Sequence, residues 1–489
     1  MAKLLGIDMG TGSAKAVLYD AEAAQVIATA NEEYPINRPA PDRAEQNPDD
    51  WWQATVNVVR QVTTDEQNIA AIGLSGQMHG GTFLNAGGEV VHPAIIWPDT
   101  RSASEVTQLL ERVGHERYPQ ITGTLPAVGF LAPTLLWMQT HTPDVLEKTA
   151  AFLLPKDYTH YKLTGEMTSE ASDAAATGLF DVEQAAWSTE IMAAMGIDPG
   201  ICPRVIPSSE VMSLSQQAAD DLGLKAGIPV AAGCADQPAQ ALGNGILAPG
   251  VVSITVGSGG QVFSPMTRVQ TDSRLHVFNH AVPGTYYALG AILAAGLSLR
   301  WLRDILNADY AALSAEAATV PAGADGLMFL PYLNGERTPH MDPHARGGFI
   351  GLSSYHTRAH LARAVMEGVA FAVRQAVEIT QELGGSVETI IGSGGGVEAD
   401  VWRGILVDVI GLPLKKSLMK EQTGVGAAAL AGVGAGVYAS FDELAARVAV
   451  HGEPYHPNEA RHSFYNERYE QFTALYPTLK ADLNRLAQS

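Results

Sequence analysis

Short apolar blocks separated by glycine-rich turns recur along this chain, and they predict a repeated unit. Residues 4–9 and 14–19 are apolar runs flanking Gly10, Thr11 and Gly12. That pattern predicts a β-hairpin with a glycine turn. Residues 251–263 repeat it, with Gly257, Ser258, Gly259 and Gly260 at the turn. A third cluster, Gly392 to Gly396 with Ser393 inside it, follows the apolar run 389–391. Two similar hairpins, one opening each half, predict a duplicated architecture with a ligand between the halves.

The remaining pattern fills in an α/β chain. Residues 22–34 read as further strand. Asn47 and Pro48 read as the cap and first position of a helix whose apolar face is Trp51, Thr55, Val58, Val59 and Val62. Residues 69–74 form a buried strand ending in the loop 75–81, and residues 91–97 a strand ending in the loop 98–101. Loops at the carboxyl ends of strands carry function in wound α/β sheets. Residues 229–237 read as an apolar strand ending in Asp236, before a small-residue helix over 238–245. A turn at 247–250 divides the chain into 1–246 and 247–489. The second half is predicted to hold an Ala/Leu-rich helix over 290–306, a strand from 329, and a long amphipathic helix over 360–383. A turn at 421 enters another small-residue helix. Tyr465, Tyr469, Phe472, Tyr476 and Leu479 lie at the spacing of a terminal helix.

Composition narrows the partners. At 489 residues the chain exceeds one ordinary core, so two domains are expected. A net charge of −21 disfavours nucleic acid and anionic membranes. Two cysteines, Cys202 and Cys234, are too few for a disulfide framework and point to the cytoplasm. Lys3 is the one early charge and Asp8 interrupts the first apolar run, so neither a signal peptide nor a membrane span is expected.

Asp8 beside the first glycine turn suggests a clamp in which backbone N–H groups face a nucleotide phosphate. A carboxylate next to a phosphate needs a cation between them, and Mg²⁺ held through water is the simplest. An ordinary tight hairpin is the competing reading. Asp236 is the candidate general base for phosphoryl transfer, or else a helix N-cap. His79 is placed to donate a hydrogen bond to a substrate hydroxyl, or to serve the fold. His340, His344, His356 and His360 lack metal-ligand spacing. The P-loop signature is absent, and the two G-x-G-x-x-A matches, at 243–248 and 424–429, lack a preceding strand and following helix together.

Taken together, these stretches resemble the FGGY family of carbohydrate kinases, and within it the branch acting on five-carbon ketoses. The resemblance rests on residues 6–15 and 75–81, on Gly347 to Leu352 with His360, Leu361 and Ala364 to Glu367, on residues 329–339, and on the third glycine cluster. It implies two actin-like, ribonuclease-H-like α/β domains with a nucleotide and sugar cleft between them. It implies ATP and Mg²⁺ as cofactors, a small sugar as partner, and transfer to D-xylulose first among the ketoses. Ribulose, glycerol or a fuculose-like sugar are the alternatives, and an actin-like ATPase without sugar transfer is the rival class. A homodimer is compatible with it. Carried over, Asp8 lies near Mg²⁺, and Gly10, Thr11 and Gly12 contact phosphate. Met78, His79, Asp99, Asp236 and Gln237 meet the sugar, with Asp236 as base. Ser258, Gly259 and Gly260 form the second phosphate loop, and Gly394, Gly395 and Gly396 bind the nucleoside. Four positions depart from the family pattern: Gln237 for asparagine, Pro98 for asparagine, the second hairpin for Gly-Thr-Ser-Gly, and Thr134 for lysine. The first two touch the expected sugar site.

Overall fold

Alternating side chains give the opening residues one face for each side of a sheet. In the computed structural model, which describes residues 2–487 apart from 65, 67 and 384, this hairpin founds the first sheet. Lys3–Met9 pairs antiparallel with Ser13–Asp20, and Gln25–Glu33 adds a third antiparallel strand. Ile69–Gly76 lies parallel on the other flank of Lys3–Met9. Pro229–Ala231 continues in parallel, and Val211–Ser213 closes the edge antiparallel. Helix Pro48–Val62 starts where Asn47 accepts from the Asp49 N–H at 3.2 Å, and it buries Trp51, Val58, Val59 and Val62 against this sheet.

The second sheet repeats the order. Gly250–Val256 and Gly260–Met266 form the hairpin, with Tyr286–Ile292 antiparallel beside it. Val387–Ser393 and Leu414–Ser417 run parallel on the other flank, and His451–Tyr455 closes that edge antiparallel. His276–Asn279 is an added strand at the opposite edge. Helix Arg358–Glu382 is buried along one face of this half. Tyr465, Tyr469, Phe472 and Tyr476 of helix Glu459–Ala487 pack into the same core.

One expected helix starts later than the pattern implied. Residues 290–292 belong to strand Tyr286–Ile292, and the helix is Gly296–Leu306. The strand satisfies the open side of Gly260–Met266, a demand invisible to local periodicity. A Cβ on Gly290 would lie 2.7 Å from Ala376 Cβ, so the bare glycine lets the long helix sit close.

The halves share a core. Helix Gln422–Gly434 leaves the second half and packs on the first sheet and on helix Asp236–Gly243. A Cβ at Gly6 would lie 1.9 Å from the Gly424 carbonyl oxygen, and one at Gly73 1.8 Å from that of Ala427. Backbone touches backbone there, which only glycine permits. Among the described residues, no helix is long and apolar enough to cross a membrane.

Candidate active site

Asp8 stands near the end of the opening strand, between Lys15 and Ser75 in the ladder. Ser75 Oγ donates to Asp8 Oδ1 at 2.8 Å, and among the described residues Oδ2 accepts no hydrogen bond. Asp8 keeps some solvent access, yet the surrounding protein raises its pKa above the ordinary carboxylate value. The Ser75 hydroxyl and Lys15 oppose that rise, and Glu421 adds to it. Lys15 Nζ lies 2.8 Å from Glu421 Oε2, which ties the first hairpin to the start of helix Gln422–Gly434.

The turn beside Asp8 is braced from three sides. The Tyr34 hydroxyl donates to the Gly10 carbonyl. Gln46 Nε2 donates to the Thr11 carbonyl at 2.7 Å, and Trp97 Nε1 donates to Thr11 Oγ1 at 2.8 Å. Conformational freedom is not why these turns are glycine. None of Gly10, Gly12, Gly257, Gly259 and Gly260 adopts left-handed backbone. A Cβ on Gly12 would meet nothing within 4 Å, so the turn is open on that side. Gly394 does need its freedom: its φ is 85°, and a Cβ would lie 2.6 Å from the Val256 carbonyl oxygen.

Asp236 is the first residue of helix Asp236–Gly243, with Ala235 as cap and no side-chain capping bond. The N-cap reading therefore falls. Its Oδ1 is buried with no hydrogen-bond partner among the described residues. Burial first, and then the Asp8 carboxylate, raise its pKa to about 7. The backbone and side-chain amides of Gln237 favour the charged form and hold the rise back.

Met78 and His79 follow strand Ile69–Gly76 on a buried loop. His79 takes φ 77° and stacks on Phe130 at 4.1 Å between centroids. Its Nδ1 lies 2.7 Å from the Ala176 carbonyl oxygen. A carbonyl only accepts, so Nδ1 carries the proton. Burial lowers the ring's pKa to about 3, with Arg337 contributing, so the ring is neutral and Nε2 is an acceptor. The expected donor is therefore an acceptor. The Asp99 carboxylate, 1% exposed, accepts from the Ala44 N–H at 2.7 Å and from the Arg101 N–H at 3.1 Å. Arg101 Nε and Nη2 complete the ion pair at 2.8 and 2.7 Å. That carboxylate is committed to Arg101 and positions the loop carrying Trp97.

Ser258, Gly395 and Gly396 come together at a cavity of about 310 Å³ on the second half. The helix Gly296–Leu306 is pinned there, because the Gly296 N–H donates to the Gly257 carbonyl at 2.8 Å. Leu299, Arg300, Tyr310 and Trp402 supply the other walls.

Comparison with known proteins settles the family. Residues 3–243 match the N-terminal domain, and residues 252–435 the C-terminal domain, of the FGGY family of carbohydrate kinases. The chain belongs to this family. It is 34% identical to a xylulose kinase of Bacillus subtilis over 498 residues, covering 100% of this chain and 99% of the other. A gluconokinase of the same organism is 28% identical and covers 99% and 96%. The crystal structure of a xylulose kinase from Rhodospirillum rubrum superposes with a TM-score of 0.92 at 33% identity, covering 98% of this chain and 99% of that one. The two-domain, actin-like α/β fold expected from the motifs is the fold observed.

This FGGY kinase also uses residues that no motif marked. Tyr34, Gln46 and Phe130 brace the turn and His79 from positions scattered over the first half. Tyr310 and Trp402 wall the cavity from helices Tyr310–Ala318 and Asp400–Ile410. Arg337 lies within a stretch noted for family likeness alone. Its guanidinium has no hydrogen-bond partner among the described residues, and its charge acts on His79 and His276. Glu336 beside it receives the Leu293 and Arg337 N–H groups at 2.9 and 2.8 Å, and burial raises its pKa to about 8.

Proposed function

We propose that the protein transfers the γ-phosphoryl group of ATP to the 5-hydroxyl of a ketopentose, with D-xylulose the best substrate. Asp236 Oδ1 carries this reading: a buried, unpartnered carboxylate oxygen with its pKa near 7, raised in part by Asp8 and following a strand that pairs with Ser75 and Gly76. Asp236 takes the hydroxyl proton as the sugar oxygen bonds to phosphorus. The bond from phosphorus to the bridging oxygen breaks, and ADP leaves. Residues 1–246 supply Asp8, the first hairpin, the sugar loop and the base. Residues 247–489 supply the nucleotide cavity, where Ser258 to Gly260 meet phosphate and Gly394 to Gly396 the nucleoside. Met78, Gln237 and the bare Nε2 of His79 contact sugar, and Asp99 acts through the Trp97 loop. The free Oδ2 of Asp8 suits a hydrated Mg²⁺, which would neutralise phosphate charge. Two free thiols fit a cytoplasmic enzyme.

A second reading is an aldonate such as gluconate. The unpaired Arg337 guanidinium near His79 suits a carboxylate, and the gluconokinase relative points the same way. ADP release tests both, with D-xylulose, D-ribulose, glycerol, L-fuculose and D-gluconate. Release that depends on sugar and is fastest with D-xylulose is expected. Fastest release with gluconate supports the second reading, and equal release without sugar removes the kinase.

A further inference from the structure

The strand that delivers Asp236 is interrupted. Pro229–Ala231 runs parallel to Ile69–Gly76, breaks at Ala232 and Gly233, and resumes as Cys234–Ala235 opposite Ser75 and Gly76. Gly233 has φ 85°, and a Cβ there would lie 2.4 Å from the Leu74 carbonyl oxygen. A break of this kind bends a strand and re-aims the side chain that follows.

Each part of the break has its own anchor. The Ala232 N–H donates to the Glu210 carbonyl at 2.9 Å, and the Gly233 N–H to the Ser208 carbonyl at 3.0 Å. Lys156 Nζ donates to the Ala232 carbonyl at 3.4 Å. The Ala235 N–H, one residue before the base, donates to Ser172 Oγ at 3.0 Å. Ser172 and Ser208 in turn donate to Glu170, at 2.8 and 2.6 Å. Glu170 also receives the Ser172 and Asp173 N–H groups, each at 2.9 Å. All four of its hydrogen bonds are therefore spent on this one corner of the fold.

Lys156 holds the carboxylates together. Its Nζ lies 2.5 Å from Asp157 Oδ1, 3.8 Å from Glu170 Oε1 and 3.7 Å from Asp173 Oδ2. Lys156, Asp157, Glu170, Ser172 and Asp173 are each at most 1% exposed. Apolar side chains of the same volume would serve packing at least as well as a buried lysine among three carboxyl groups, of which burial pushes the pKa of Asp157 and Asp173 up. What the charged cluster adds is a defined hydrogen-bond geometry at the Ala232–Ala235 segment.

We propose that Lys156, Glu170 and Ser172 are positioning residues for Asp236. Lys156 gathers the carboxylates, Glu170 orients Ser172, and Ser172 fixes the peptide that aims Asp236 at the substrate hydroxyl. None of the three touches substrate. This rests on Asp236 being the base, and misplacing a catalytic group by 1 Å can cost ~10²-fold in rate.

Ser172→Ala tests it in the full-length enzyme with Mg·ATP and D-xylulose. A kcat roughly tenfold lower with both KM values within about twofold is expected, and Ser172→Thr, which keeps the oxygen, should restore most of it. In an Asp236→Asn background, Ser172→Ala should cost less than about twofold more, because the group it positions is gone. A Ser172→Ala enzyme with lowered Tm but more than about half of kcat would overturn the proposal, as would an equal loss in the Asp236→Asn background. If Ser172→Ala does not fold, Glu170→Gln is read in the same way. An active Asp236→Asn enzyme would remove the base itself. An inactive one beside an unimpaired Ser172→Ala would remove only the positioning role.

Discussion

Burial that brings Asp236 to about 7 suits the base role proposed for it and makes it a worse neighbour for the fold. Its carboxyl sits well above the ordinary 3.8, so the folded state favours its proton. The stability this contributes is whole below the free-chain value and is lost as pH rises through about 7. Activity runs the other way, because a base must be ionised. We expect kcat/KM for the sugar to rise with pH up to about 7 and then level off. Asp236→Asn should lower kcat by roughly 10²–10⁴-fold while ATP and sugar still bind, and a variant keeping a tenth of kcat would deny the role. The same variant, free of ligands, should melt higher than wild type. That gain should grow between about pH 4 and 7 and be level above. A gain that did not change with pH would mean Asp236 ionises as it does in the free chain. Asp8→Ala should weaken use of Mg·ATP by roughly 10–100-fold, the usual worth of a group that holds a metal's shell. Rates across a magnesium titration decide that, and an unchanged requirement would make Asp8 a hairpin residue only.

Two glycines separate packing from function at the scale of elements. Gly73 lets strand Ile69–Gly76 touch helix Gln422–Gly434, where a Cβ would lie 1.8 Å from the Ala427 carbonyl oxygen. Backbone cannot swing aside as a side chain can, so Gly73→Ala should cost about 1–3 kcal/mol or more in urea unfolding. Gly12 has open space before it and no left-handed φ. Gly12→Ala should therefore leave unfolding unchanged within ~0.5 kcal/mol, while its methyl obstructs phosphate and raises KM for ATP. Loss of stability in Gly12→Ala with an unchanged KM would return the turn to an ordinary hairpin.

In the whole molecule, the proposed sugar contacts come from one half and the cavity proposed for the nucleotide from the other, across a shared core. A ligand that favours approach of the halves must help the other ligand bind, and by the same factor. We expect D-xylulose to tighten binding of a non-hydrolysable ATP analogue by roughly fivefold or more, and the analogue to tighten D-xylulose equally. Calorimetry in both orders measures this, and independent affinities would show that the cleft does not close on its ligands.

Local order was legible in the chain. The paired runs around Gly10 to Gly12 and Gly257 to Gly260, the Asn47 cap and the terminal aromatic spacing all depend on residues a few positions apart. Side-chain alternation, capping and turn chemistry act over that range, so the sequence by itself determined the hairpins, most helices and the duplication of the halves. The family likeness then named Asp8, His79 and Asp236. The tertiary structure decided what depends on neighbours far along the chain. Residues 290–292 became strand because Gly260–Met266 needed a partner. Asp99 was spent on Arg101, and His79 became an acceptor because its Nδ1–H donates to the Ala176 carbonyl. The pKa of Asp236 was set by burial and by Asp8, and its aim by a strand broken at Gly233. Burial and charge are sums over everything nearby in space, and only the folded chain says what is near.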